Sequence, residues 1–144
     1  MRRRDPLTDD MFLIPTPVAP VPASMDYRAE VAHLVSAVIK DSGVDRYELA
    51  ARMSRLTGQE VSKYMVDAWS SESREAYNMP FHQAAVLESA CETLALTTWL
   101  AEKRGARLLV GKDTLTNELG KLERVKEDAA KKIRELKRIM GEME

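Results

Sequence analysis

The sequence holds a single cysteine, Cys91, in 144 residues. One thiol excludes an internal disulfide and a cysteine-built zinc site. Its neighbours Leu87, Ala90 and Leu94 read as an apolar helix face, so Cys91 is expected to be a buried, inert thiol. Histidine is almost as scarce. His33 lies in an apolar helical stretch and reads as a core-edge residue, and His82, just after Pro80, reads as a surface residue. They share no ligand spacing, so no metal site is expected.

No stretch of about 18 apolar residues occurs, which excludes a membrane-spanning helix. The basic start MRRRDPLTDD and the apolar MFLIPTPVAPVPA mimic a signal peptide, but Asp9, Asp10 and four prolines interrupt any hydrophobic region. The expectation is a cytoplasmic protein. An excess of one charge is absent too: 22 Lys and Arg stand against 23 Asp and Glu, a net charge of -1. Global attraction to nucleic acid or anionic membrane is therefore excluded, and any DNA-binding face has to be local. There is no phosphate-cradling glycine loop and no Ser/His/Asp arrangement in a recognisable context. Asp67, Glu72 and Glu75 are acids close only in sequence, and a solvated surface explains them. The reading is a non-enzyme without cofactor or metal.

What the chain does have is helical patterning. Five of its six prolines fall in residues 1–25, which predicts a disordered or polyproline-like arm with Arg2, Arg3 and Arg4 at its tip. Val31, Leu34, Val35, Val38 and Ile39 then mark one face of a helix over 27–41, capped by Asp26 and closed by Ser42-Gly43. Asp45 and Glu48 form a capping box, followed by Leu49, Ala50, Met53 and Leu56 as an inner face. Thr57 and Glu60 repeat the device twelve residues later, followed by Val61, Met65, Ala68 and Trp69. Two short helices joined by a tight corner result. Ser70 to Asn78 reads as a polar loop. Pro80 opens a fourth helix, and Leu94, Leu96, Trp99 and Leu100 mark a fifth, ending near Gly105. Ala106 to Val110 reads as either a short strand or an extended connector.

From Leu115 the apolar spacing alternates four and three. Leu115, Leu122, Ala129, Leu136 and Met143 take heptad position d, and Leu119, Lys126, Ile133 and Met140 take position a. That is just over four heptads, enough for a coiled coil. A narrow seam facing water needs a partner helix, so a homodimer is expected, with Lys126 favouring two strands over more. A long helix folded back on its own domain is the alternative. Residues 112–144 carry nine basic and eight acidic side chains, the mixed pattern of a solvated coil.

Leu49-Ala50, Val61-Ser62, Trp69, and Pro80 through Leu87 and Ala90 to Leu96-Thr97-Thr98-Trp99-Leu100 resemble the lambda-repressor-like (Cro and C1 type) helix-turn-helix DNA-binding family. The likeness covers residues 27–104. In style the chain is also similar to small regulatory proteins of Mu-like phages and prophages. It departs from the family pattern at Ser54, which stands near the usual turn glycine, and in a corner one residue longer than usual. The resemblance implies an all-α fold, a five-helix lambda-repressor-like bundle over 26–105; the heptad spacing adds a coiled-coil dimerisation helix over 112–144, with a connector over 106–111 between them. The resemblance also implies double-stranded DNA as partner, with the third helix in the major groove. Gln59, Ser62, Lys63, Val66 and Asp67 would face the bases, with Tyr64 either outward or packed. Arg46, Arg52, Arg55 and Arg74 would grip phosphates. Against this, residues 26–99 carry seven Lys or Arg and eleven Asp or Glu, so phosphate attraction is weak per monomer. A second reading is an adaptor that uses the same domain shape for protein contacts.

Overall fold

In the computed structural model, which describes residues 15–142 (the side chain of Glu75 aside), the described chain is all-helical, with no strand beyond one isolated bridge. The apolar stripe of the first segment becomes α1 (Arg28–Ser42), with Ala32, Val35, Val38 and Ile39 buried and Gly43 closing it as expected. Asp26 does not cap it. Its carboxylate takes the Arg28 guanidinium through two 3.0 Å bonds. A backbone hydrogen bond from Arg28 joins that pair, while Tyr27 stands at the cap position without a side-chain bond.

Helix α2 (Arg46–Thr57) starts where the sequence says. The Asp45 carboxylate accepts from Tyr47 N (3.2 Å) and Glu48 N (3.4 Å). The reciprocal half of the box is missing, because Glu48 Oε1 receives Arg52 and Arg55 instead. The second box does not form at all. Thr57 is the last residue of α2, and its hydroxyl donates back to Met53 O at 2.9 Å. Gly58 then turns the chain at φ +69°, a conformation that side chains with a Cβ resist. Helix α3 (Lys63–Trp69) begins after an extended stretch, and Ser62 caps it by accepting from Met65 N at 3.2 Å.

Ser54 explains the longer corner. Its hydroxyl accepts from Val61 N at 2.8 Å and lies 2.8 Å from Ala50 O and 3.0 Å from Val61 O, either of which can take its proton. The hydroxyl therefore stitches the extended strand of the corner onto α2. It satisfies backbone groups that would otherwise be buried unpaired. Val61 is held inward as a core residue ahead of the helix it was expected to belong to.

Ser70 to Asn78 is not a plain loop. A kinked 3-10 helix (Glu72–Tyr77) packs against α1 and α3. Across it, His33 Nδ1 meets Glu72 Oε1 at 3.0 Å. His33 is thus an exposed side chain, not a core-edge one. Pro80 precedes a second 3-10 turn (Phe81–Gln83) that runs into α4 (Ala84–Cys91), where Leu87, Ala90 and Cys91 are buried. Burial pushes the Cys91 thiol up, as an inert thiol requires. Glu88 is buried as well. Its carboxylate accepts from Thr97 N (3.1 Å) and Thr97 Oγ1 (2.6 Å). An acid on α4 therefore closes the first turn of α5 (Ala95–Lys103), where it also favours the helix dipole.

The core unites Val35, Leu49, Met53, Val66, Trp69 and Leu87 from four helices. At one end, Glu30 joins α1 to α5. It accepts from Lys103 Nζ (2.8 Å) and Trp99 Nε1 (3.0 Å), and Lys103 stands over the rings of Tyr27 and Trp99.

The segment expected to be an unstructured arm has a definite place from Pro15 onward. Pro17 bridges Arg104, and Val18 N donates to Lys103 O at 3.2 Å. A Cβ on Gly105 would lie 2.5 Å from Pro17 Cδ, so glycine is required where the arm crosses. Residues 1–14, with Arg2, Arg3 and Arg4, lie outside the described residues. Ala106 to Val110 is the connector of the two alternatives, not a strand.

The chain divides into two units, residues 1–107 and 108–144. The second contains α6 (Lys112–Glu142), a 31-residue helix without a buried residue. Leu115 is 71% exposed, and Leu119, Leu122, Ile133, Leu136 and Met140 are all exposed as well. Met143 lies outside the described residues.

Candidate nucleic-acid interface

The corner between α2 and α3 is the place where the resemblance puts DNA, and its nine candidate residues separate into three groups. Val66 belongs to the first. It is 1% exposed and part of the core. Starting α3 at Lys63 instead of near Gly58 turns its register, which carries Val66 inward; Leu56, in the last turn of α2 and expected on its inner face, is 57% exposed. Val66 cannot contact a base edge from this position.

The second group is partly exposed but paired with neighbours of the same bundle. Asp67 receives Arg46 at 2.9 Å and Lys63 at 3.0 Å. Arg46 also donates to Ser70 Oγ at 2.7 Å. Burial raises the Asp67 carboxyl, but the hydrogen bonds from Lys63 and Arg46 outweigh it and hold the group below its ordinary range. The same bond from Asp67 raises the Lys63 ammonium. This triad braces α3 against the start of α2. Arg52 is engaged as well. It donates to Ala90 O at 3.1 Å, a carbonyl of the last turn of α4, and pairs with Glu48. Ser62 is taken by its capping role.

The third group faces solvent: Gln59, Arg55 and Arg74. Arg55 pairs at 3.4 Å with Glu48 across the surface, a contact of small energetic weight. Arg74 lies over the Tyr64 ring, and Lys63 lies over the Tyr47 ring, each at 5.3 Å. Both tyrosines are exposed. Tyr64, read as either outward or packed, is therefore outward. Tyr47 was missed. Its only signal in the sequence is an aromatic two residues after the Asp45 cap, at a position that α2 turns to solvent. The leading edge of the corner is a polar and aromatic surface in which cations and rings alternate.

A second feature was not read from the sequence. An apolar groove of about 790 Å³ opens between α1, the stretch from Asn78 through the second 3-10 turn into α4, and α5. Val31, Leu34, Met79, Phe81, Trp99 and Leu100 line it, and Phe81 is 85% exposed at its edge. Pairs of apolar residues from three separate stretches build it, so no local pattern announces it.

Among the described residues, no group of His, Cys, Asp or Glu is arranged to hold a metal ion, and no helix is long and apolar enough to cross a membrane. No family model, curated protein or solved structure matches this chain.

Proposed function

We propose that this chain is a cytoplasmic, sequence-specific DNA-binding transcriptional regulator of phage or prophage type. In this reading residues 26–105 are a lambda-repressor-like five-helix bundle, and α6 dimerises as a coiled coil. The observation that carries the reading is the α2–α3 corner. It is braced from within by Ser54 and by the Arg46–Asp67–Lys63 triad, and it presents Gln59, Tyr47, Tyr64 and Arg74 outward. Gln59 suits bidentate recognition of adenine, and Arg55 and Arg74 suit phosphate.

With Arg46, Arg52 and Lys63 engaged internally, each bundle has few cations for the backbone of DNA. Two bundles on one dimer raise the effective concentration of the second contact. Selection of random duplexes on the purified protein, followed by mobility shifts at two salt concentrations, tests the proposal. Retained sequences should bind less tightly as salt rises. Gln59→Ala should relax base preference, and Arg55→Glu should weaken binding to all sequences, both with unchanged helicity. No enrichment at low salt would overturn it.

The second reading is an adaptor that binds protein and not DNA. The apolar groove beside Phe81 and the internal neutralisation of Arg46, Arg52 and Lys63 favour it. Failure of the duplex selection, with dimerisation intact, is its predicted result.

A further inference from the structure

The seam of α6 carries information about orientation as well as about pairing. Around the a and d residues, the flanking e positions are Thr116, Glu123, Ala130 and Lys137, and the flanking g positions are Glu118, Val125, Lys132 and Ile139. In a parallel, in-register homodimer each g residue faces the e residue five places on in the other copy. Glu118 would then face Glu123, and Lys132 would face Lys137. Each clash occurs twice by symmetry. The Lys126 ammonium groups of the two copies would also share one core layer.

Reversing one helix removes all three conflicts. In an antiparallel pair, a layers stack on d layers, and e and g residues face their own kind. With full overlap, Leu115 stacks on Met140 of the second copy, Leu119 on Leu136, Leu122 on Ile133 and Lys126 on Ala129. Glu118 then faces Ile139, Glu123 faces Ala130, and Lys132 faces Val125. No like charges oppose. The small Ala129 leaves room for the Lys126 stem to run along the seam with its ammonium in water. The two helix dipoles also oppose. Sliding the pair by one heptad in either direction leaves a layer without a partner.

We propose that α6 pairs with α6 of a second copy in this antiparallel, fully overlapped register. The inference rests on the reading of α6 as a homodimerisation helix. The 31 residues of α6 rise about 45 Å at ~1.5 Å each. The two chains therefore enter the rod about 45 Å apart, at opposite ends, where a parallel pair would bring them within about 10 Å. The dimer is then a spacer between the two points where the chains enter it.

The experiment uses the full chain with Cys91→Ala. Leu122→Cys alone, Ile133→Cys alone, and the two together are oxidised and run without reductant. The double variant should give covalent dimer in at least tenfold higher yield than either single variant, because each cysteine faces its counterpart. A Leu122→Cys single variant that cross-links as well as the double overturns the antiparallel register and leaves the dimer reading standing. A chain that sediments as a monomer overturns both. Since seam cysteines can weaken pairing, spin labels on Asp113→Cys, outside the seam, give a second measurement. A separation near 45 Å is expected, and one under about 20 Å contradicts the proposal.

Discussion

The bundle and α6 handle apolar surface in opposite ways. In the bundle, Leu49, Met53 and Leu87 are fully buried, and ion pairs, caps and the Ser54 hydroxyl satisfy polar groups from within. In α6 no residue is buried, and its leucines are exposed along one seam. A bundle that closes on itself needs no partner to fold. A helix of this length with an open a/d stripe gains its stability from packing against another helix. Folding and association should therefore separate cleanly between the two regions.

The largest effects test the bundle side of the contrast. Met53→Ala removes a fully buried side chain and should cost about 2–5 kcal/mol in denaturant unfolding. The same change should leave a dimer of folded chains at low denaturant. On the other side, Ile133→Asp places a charge in the seam and should weaken dimerisation at least tenfold by sedimentation. Its bundle should unfold at an unchanged denaturant midpoint. If Ile133→Asp lowers that midpoint as Met53→Ala does, the two regions are not independent.

Smaller effects sharpen the account of the corner. Ser54→Ala leaves the buried Val61 N–H without its acceptor and should cost about 1–3 kcal/mol. Asp67 gives a smaller, pH-dependent signature. Its carboxyl titrates lower in the folded state than its ordinary value of 3.8. The stability it contributes is thus full above that value and is lost as pH falls through the folded one. Asp67→Asn should flatten the acid limb of the stability profile. A profile identical to that of the parent chain would show that the triad contributes nothing.

Legibility in the sequence followed how local each decision was. The α1 stripe, the Asp45 cap and the α6 seam depend on neighbours a few residues away, and each is found where the pattern puts it. Thr57-Gly58-Gln59-Glu60 matches a capping box just as well, yet no helix starts there. Thr57 is already bonded to Met53 O, and Gly58 has left the helix. That one misreading moved the start of α3 and so turned Val66 from a base-facing residue into core. His33 needed Glu72, and Glu88 needed Thr97, partners that only the folded chain brings together. The arm from Pro15 looked unstructured because nothing local shows that Lys103 and Arg104 receive it.

The central claim is that the apolar seam of α6 is satisfied by a second copy while the bundle folds alone. Sedimentation equilibrium of the full chain beside a chain ending at Gly111 tests it most directly. The account predicts a dimer for the first and a folded monomer for the second, with the bundle's unfolding midpoint unchanged. A monomeric full chain, or a shortened chain that no longer folds, would contradict it.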